Sequence, residues 1–546
     1  MTAVGEHVGE LAAENIRIGA AYHDSAWWVA YLLAFARAVP AVGAIGLTTV
    51  ATGYGYSRSA LLTDDEGTYV AQAWAITHLG SLTPYTYWYD HPPVGWMTLA
   101  LLQSIIAPFT AFGTTIDGGR AAMLPVTLAS ATLLYTVARR SGMARAFATL
   151  SVCLFGLSPL AIQYHRMVLL DNFAVVWTLA AMALALTPQR RLWATAASGA
   201  CFAFAVLSKE TAILLLPVLM LLIWQHCDAR TRRFACTLAA TLFAFIVLSF
   251  PLVAALKSEL VAGQGHVSME SAIRWQFFER PSSGTILDNR SGASGVVRQW
   301  LTQDRWLLLA AFAMLPIAAL VRNLRPFALG FGTLVLIPAK PGYLPMMFVI
   351  SILPLAALVV GGSLDTIWHL GARRLRDRRK RMLPLRLASP LAAIGLLAAA
   401  TIVAGPAWSR SLDFTPQADH NRGYREVIRY VTRSIPHQST LVVDDNMWLD
   451  LVEGGFQRDR VVWMYKLGRD PAVDCRYPGG SRDFDYIVVS PTMRALKFDL
   501  PATFSGLHAM VVATFGSGAD RYTVLRIEHG YAARRHVPLT GCPAIP

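Results

Sequence analysis

The feature that most constrains the fold is a set of apolar runs as long as a bilayer is thick. The run from Leu192 to Cys227 carries only two formal charges, on Lys209 and Glu210. One transmembrane helix needs about 20 residues, so this longer run predicts a helical hairpin that turns at the Lys-Glu pair. A lysine in mid-span would cost roughly 2.5 to 3.5 kcal/mol, which also favours a turn. We expect Lys209 to pair with Glu210, and a direct role in binding an anion stays open.

Composition excludes a soluble enzyme. Of the 546 residues, 54% are hydrophobic and only 15% are charged, a balance typical of polytopic helical membrane proteins. The net charge is +14, but residues 407–546 hold 17 basic and 15 acidic residues, so the basic excess lies in the membrane part. This distribution follows the positive-inside rule and speaks against a nucleic-acid partner.

Arginine-rich loops predict the topology. Residues 1–26 lack the basic start and cleavage site of a signal peptide and are expected to be a cytoplasmic segment. Placing the basic loops inside gives about eleven spans, provided that residues 94–112 form a juxtamembrane or re-entrant helix that does not cross. The loops that carry this argument are Arg139 to Arg145, Arg190 and Arg191, Arg230 to Arg233, Arg322 to Arg325, and Ala372 to Arg386 with eight basic residues.

The first outer loop, from Leu61 to Trp96, concentrates acids and aromatic residues beyond what a connector needs. Thr63 is a suitable helix cap, and apolar residues recur after it at helical spacing, which predicts an amphipathic helix on the membrane surface. Acids in its first turn are favoured by the helix dipole. A carboxylate there could act as a base between a lipid-borne and a water-borne substrate. The candidate side chains of this loop are Asp64, Asp65, Glu66, Asp90 and His91.

Other polar clusters fall on the same predicted face. Asp171 could simply cap the next helix, or it could be a second carboxylate for a substrate or a metal, and Arg166 could bind a phosphate. The outer segment 255–305, with His266, is expected to be a mobile lid rather than a disordered loop.

The turn AKPGY places Lys340 and Tyr343 at the outer surface. A lysine at a helix end often snorkels to the interface, so a binding role and an anchoring role both stay open for Lys340.

The composition changes after Gly405. Helix-like and strand-like segments alternate from Asn421, which predicts a small extracytoplasmic α/β domain over residues 406–546. The partial glycine pattern at Phe515 to Asp520 does not open a βαβ unit, so nucleotide binding is not expected. Cys475 and Cys542 could pair in an oxidising compartment, and the sequence leaves this open.

The motifs in the membrane part resemble C-type (GT-C) glycosyltransferases, and most of all the protein O-mannosyltransferase and lipid A aminoarabinose transferase group. The resemblance covers about residues 27–405, the expected transmembrane glycosyltransferase domain, and leaves the C-terminal domain outside. It is carried by Asp65 with Glu66, HPPVG at His91 to Gly95, RMVLLDN, LSKET at Leu207 to Thr211, and AKPGYLP.

The resemblance implies an inverting transferase that takes a sugar from a polyprenyl-phosphate donor and passes it to an acceptor hydroxyl. The family's general base falls on Asp65, with Asp64 an alternative and Glu66 beside them. Lys340 and Tyr343 resemble the pair near the donor phosphate, and Arg166 and His91 would add positive charge or hydrogen bonds there. Asp171, Asp90 and His266 are candidates for a substrate or metal. A divalent metal, if any, would be shared by Asp65 and Asp171.

The implied partners are a lipid-linked sugar donor, a cell-envelope glycan, lipid or protein acceptor, and the cytoplasmic membrane, with the site on its outer face. The main alternative is a polytopic transporter or lipid flippase, which would place charged residues near mid-membrane and show inverted repeats. A membrane scaffold is a third possibility, but it leaves the acidic first loop unexplained.

Overall fold

Helices make up the membrane part of the protein. The computed structural model describes residues 38–58, 62–85, 89–106, 108–188, 191–263, 267–377, 404–410, 419–495, 508–528 and 542. The helices up to the middle of the bundle are α1 (Ala38–Gly53), α2 (Asp64–Leu79), α3 (Val94–Ile106), α4 (Thr115–Arg140), α5 (Arg145–Leu157), α6 (Pro159–His165), α7 (Leu170–Ala185) and α8 (Leu192–Ser208). The later ones are α9 (Leu216–His226), α10 (Arg232–Val247), α11 (Ser249–Leu256), α12 (Met269–Arg274), α13 (Gly292–Leu320), α14 (Arg325–Leu336), α15 (Val349–Asp377) and α16 (404–410).

Several of these helices meet the requirements for crossing a bilayer. In the described ranges, four are long and apolar enough, and they correspond to α4, α10 with α11, α13, and most of α15. The pair α5 and α6, bent by 62°, is a fifth candidate. Six further helices are apolar but have only 10–17 residues. The expected multi-pass architecture is therefore confirmed, whereas the number of about eleven spans stays a prediction.

The long apolar run does break at its two charges. Helix α8 ends at Ser208, Lys209 adopts extended backbone angles, and a 3₁₀ segment from Glu210 to Leu215 leads into α9. Helix α8 packs against α7 and α10, so Lys209 comes to lie at one end of a packed group of helices.

The C-terminal domain is built on a five-stranded mixed sheet in the order β2-β1-β3-β5-β4. The sequence predicts strands in the segments STLVVDD, RVVWMYK, FDYIVVS, HAMVVATF and YTVLRIE, and each of them contains one. Strand β1 is parallel to β2 and β3, whereas β5 is antiparallel to β3 and β4. The strands are β1 (Leu441–Val443), β2 (Val461–Trp463), β3 (Tyr486–Val489), β4 (Ala509–Phe515) and β5 (Tyr522–Ile527), and the helices are α17 (Arg422–Ser434), α18 (Asp445–Glu453), α19 (Pro471–Arg476) and α20 (Pro491–Ala495).

The two cysteines of this domain are joined. Cys475 lies in α19 and forms a disulfide with Cys542, with the two Cα atoms 5.6 Å apart. The open question of the sequence analysis is thus answered in favour of pairing.

Helix α2 starts after Thr63, as predicted, but the expectation of an amphipathic surface helix is wrong. All ten residues from Glu66 to Ala75 are buried. The membrane bundle covers one side through α3 and α4, and α18 of the C-terminal domain covers another. A helix enclosed in this way has no face that must be polar, which is why its pattern was misleading.

Candidate active site

Three consecutive carboxylates open α2, and each meets different surroundings. Successive side chains of a helix point about 100° apart, so Asp64, Asp65 and Glu66 cannot face the same partner. Asp64 faces the C-terminal domain, Asp65 faces a polar cluster of the bundle, and Glu66 points into the bundle interior. The sequence predicted all three as one site.

Glu66 is part of a buried ion pair with Arg120 of α4. Both side chains are fully buried, and two guanidinium nitrogens of Arg120 donate to the two carboxylate oxygens at 2.7 Å each. The backbone N–H of Val168 donates to the same carboxylate at 3.1 Å, and that of Thr63 does so at 3.4 Å. With these donors around it, Glu66 anchors α2 to the bundle.

Asp65 is half-buried and lies closest to groups that could take part in chemistry. The Tyr69 hydroxyl, one helical turn further along, donates to its Oδ1 atom at 3.2 Å. The Asp65 carboxylate also interacts electrostatically with Lys209 and Asp171. It therefore combines partial access to solvent with a polar inner side, as a proton acceptor requires.

The polar cluster beside Asp65 consists of His91, Lys209, Glu210 and Asp171, and we call it the His91 cluster. The Lys209 ammonium lies 3.0 Å from His91 Nε2, and His91 Nδ1 lies 3.1 Å from a Glu210 oxygen. These contacts are satisfied by a neutral imidazole that accepts from Lys209 and donates to Glu210. The direct Lys209–Glu210 separation is longer, at 3.9 Å.

Asp171 and Lys209 complete this cluster from two different helices. Asp171, at the start of α7, is 2% exposed, and Lys209, after the end of α8, is 6% exposed. Of the charged groups around Asp171, Lys209 has the largest electrostatic effect on it. A single buried cation is thus shared among several carboxylates, which keeps an acidic site from repelling itself.

Asp90 joins the first loop to this cluster. Its Oδ1 atom accepts a hydrogen bond from the backbone N–H of His91 at 3.1 Å. Burial raises the pKa of the Asp90 carboxyl above its usual range, although the charges of His91 and Lys466 act in the opposite direction.

The residues do not fit a metal site. Among the described residues, no group of three or more His, Cys, Asp and Glu side chains is arranged to hold a metal ion. Asp65 already accepts from Tyr69, and Asp171 is balanced by the Lys209 cation. His266 lies outside the described residues. We therefore derive no step through a metal.

Lys340 and Tyr343 lie on an exposed turn after α14, and segment 281–290 packs against it. The Ser283 N–H donates to the Gly342 carbonyl at 2.9 Å, and the Thr285 hydroxyl donates to the Ala339 carbonyl at 2.7 Å. Tyr343 is 47% exposed. A cation and a phenol are thus presented at the surface, where a lipid-borne anion could reach them.

Arg280 is a cation of this surface that the sequence analysis did not single out. Its guanidinium stacks over the Tyr343 ring at 3.5 Å. The same side chain donates to Gln276 at 2.7 Å, and Gln276 donates to the Asp90 carbonyl at 3.3 Å. The outer segment therefore links the turn of Tyr343 to the loop of the His91 cluster. The signal in the sequence was the basic residue at the end of the aromatic patch WQFFERP.

Arg166 is not part of the exposed surface around Tyr343. It is 1% exposed, donates to the Ala51 carbonyl of α1 at 3.3 Å, and has Arg120 as its charged neighbour. The structure therefore places this guanidinium inside the bundle near the Glu66–Arg120 pair, whereas Lys340 and Tyr343 are exposed at the surface.

The C-terminal domain adds side chains next to the acids of α2. Burial, and then the charge of Asp65, raises the pKa of the Asp64 carboxyl to about 6. Burial, and then the charge of Asp64, holds the pKa of Asp445 well above its usual range. Lys466 is 3% exposed, lies over the Tyr85 ring at 5.6 Å and interacts electrostatically with Asp90. The sequence analysis missed these residues because it treated the domain as separate.

The comparisons with known proteins agree with this architecture. The family model for dolichyl-phosphate-mannose-protein mannosyltransferases matches residues 90–253. Among proteins of curated function, none matches the sequence at a significant level. Solved structures do match, and at their sequence identities of 11% to 13% the likeness shows the fold alone.

Two of the matching proteins are ArnT and an oligosaccharyltransferase. ArnT from Cupriavidus metallidurans in the apo state is 13% identical, with a TM-score of 0.55 over 89% of this chain and 97% of that one. The structure of the same enzyme bound to undecaprenyl phosphate matches with the same values. The Archaeoglobus fulgidus oligosaccharyltransferase in its apo form is 11% identical, with a TM-score of 0.53 over 92% of this chain and 75% of that one. The chain has the GT-C fold and, in fold and family model, resembles the membrane glycosyltransferases of the protein O-mannosyltransferase and ArnT group.

Proposed function

We propose that this protein is an inverting membrane glycosyltransferase that moves a sugar from a polyprenyl-phosphate donor to an acceptor hydroxyl. One observation carries the proposal: a half-buried carboxylate, Asp65, stands between an exterior surface and the His91 cluster in a GT-C fold. The ArnT enzyme of this fold has been crystallised with undecaprenyl phosphate. The similarities are to transferases, so we do not propose transport.

In the proposed reaction, Asp65 is the general base. The acceptor hydroxyl oxygen attacks the anomeric carbon of the donor from the face opposite the phosphate, and its proton passes to the Asp65 carboxylate. The bond between the anomeric carbon and the phosphate oxygen breaks, and the polyprenyl phosphate leaves with the electron pair. Attack from the opposite face inverts the configuration. A positioned base of this kind contributes about 10² to 10⁴ in rate.

The leaving phosphate needs positive charge and hydrogen-bond donors. We assign this role to Lys340 and Tyr343 on the exposed turn, to Arg280 above the Tyr343 ring, and to His91 with its Lys209 partner. Arg166, which lies inside the bundle, is not included.

We assign the remaining acids supporting roles. Glu66 anchors α2 through Arg120. Asp171 and Asp90 balance the Lys209 ammonium of the His91 cluster. We further propose that the site and the C-terminal domain lie on the outer face of the cytoplasmic membrane, where a cell-envelope glycan, lipid or protein would supply the hydroxyl.

The test is Asp65→Asn in the purified full chain. Turnover is measured with a panel of undecaprenyl-phosphate-linked hexoses and pentoses and a cell-envelope extract as acceptor, and donor-site binding is measured with undecaprenyl phosphate. We expect turnover to fall by about 10² to 10⁴ with binding kept, because the amide preserves shape but accepts no proton.

Asp64→Asn is the matched control, since it makes the same change one residue earlier. It should have the milder effect. Wild-type turnover in both variants would show that neither aspartate of α2 is the general base. Loss of turnover in Asp64→Asn alone would identify Asp64 as the base.

A further inference from the structure

The first turn of α18 packs directly against α2 at Gly67, two residues after Asp65. The backbone N–H of Gly67 donates to the Asn446 side-chain oxygen at 3.2 Å. The neighbouring Thr68 hydroxyl donates to the Asp445 carboxylate and lies 3.3 Å from the Tyr465 hydroxyl. Gly67, Asp445 and Asn446 are buried, so the contacts between them are not weakened by competition with water.

The approach of the two helices is closer than any side chain at position 67 would allow. A Cβ atom built on Gly67 would lie 2.4 Å from the backbone N and Cα atoms of Asn446. Two turns further on, the Trp74 indole N–H donates to Glu453 at 2.5 Å. The contact at Gly67 and the contact at Trp74 are seven residues apart on α2, and their partners Asn446 and Glu453 are seven residues apart on α18. The two helices therefore run in the same direction, and α18 is held to α2 near both of its ends.

We propose that α18 is a positioning element of the transferase centre and that Asn446, seated on Gly67, fixes the direction in which α2 presents Asp65. This inference rests on the proposed function. The Glu66–Arg120 pair holds α2 against the bundle, and α18 holds it against the C-terminal domain at the next residue, Gly67; both anchors lie within two residues of Asp65. A rotation of α2 that displaced the carboxylate by about 1 Å would cost roughly 10²-fold in rate.

The first experiment is Gly67→Ala in the full chain. The added methyl group forces α18 away from α2, but it removes no functional group, and alanine is a better helix former than glycine. We expect kcat to fall at least 10-fold, a conservative bound on the effect of such a displacement, while undecaprenyl phosphate binds as tightly as before. Gly332→Ala in α14 is the matched control, because its added Cβ atom meets nothing within 4 Å, and it should leave both values unchanged.

The second experiment separates positioning from general structure. Asn446→Asp keeps an oxygen that accepts from Gly67, but it adds a carboxylate next to Asp445, which interacts electrostatically with Asp64, whereas Asn446→Ala removes the acceptor. A positioning role predicts that the aspartate variant keeps most of its kcat and that the acid limb of its pH profile moves upward, because a neighbouring negative charge raises carboxyl pKa values. The alanine variant should lose kcat without that shift.

The outcomes are distinct. Wild-type kcat in Gly67→Ala refutes the inference. If Gly67→Ala fails to fold, equal losses in the two Asn446 variants with unshifted pH profiles refute it instead. Full activity of both Asp65→Asn and Asp64→Asn would overturn the proposed function itself, whatever the Gly67 and Asn446 variants do.

Discussion

Replacing Arg120 by methionine would leave the Glu66 carboxylate buried without its cation. The two bonds of 2.7 Å from Arg120 are the strongest that this carboxylate receives, and both side chains have no solvent exposure. Removing one partner of a buried pair costs about 3 to 5 kcal/mol, because the remaining charge is uncompensated. Whole domains are stable by only about 5 to 15 kcal/mol, so we expect a large loss of folded protein.

The assay is thermal unfolding of the purified variants in one detergent, followed by tryptophan fluorescence. Arg145→Met, at the exposed start of α5, is the matched control, because an exposed arginine contributes roughly 0 to 1 kcal/mol. The double variant Arg120→Met with Glu66→Gln should recover much of the loss, since neither position of the pair then carries a charge. If Arg120→Met unfolds like Arg145→Met, or the double variant recovers nothing, the anchoring role of this pair is wrong.

The remaining predictions concern Asp64 and Lys340. Because the folded pKa of Asp64 is about 6, above the usual 3.8, the folded state holds more protons between these values and stability falls as pH rises through them. Asp64→Asn should therefore unfold at a higher temperature than the wild type at pH 8 and show little difference at pH 4; an equal difference at both pH values would contradict this. Lys340→Met should raise the donor KM about 10- to 100-fold, the equivalent of a charge-assisted hydrogen bond of roughly 1.5 to 3 kcal/mol, with folding intact. Arg298→Met, another exposed cation, is its control, and equal donor kinetics in the two variants would make Lys340 a membrane anchor only.

The local elements of this fold could be predicted from the sequence. The strands of the C-terminal domain have clear apolar runs, and the start of α2 after Thr63 follows from a threonine with a glutamate three residues later. The break at Lys209 follows from the cost of placing a charge in mid-span. Each of these depends on residues close together in the chain.

The environment of the site could not be predicted in the same way. Glu66 and Asp65 are neighbours with the same chemistry, and only Arg120, 54 residues away, distinguishes a buried anchor from a candidate base. Arg120 itself sits in a largely apolar helix with no motif around it. The contact between Gly67 and Asn446 spans 379 residues and needs both folded parts before it exists.

That separation has a consequence for how the protein is made. Helix α2 emerges early in synthesis, but the helix that covers it is translated only after the whole membrane bundle. Until then the face of α2 around Gly67 has no partner, because domains fold as units and in order along the chain. On the proposed mechanism, a nascent chain therefore cannot orient Asp65 during insertion, and truncation after α16 but before residue 446 would leave the helices of the membrane part without the cover of α2. The proposed activity is thus reserved for chains that have been translated into their last fifth.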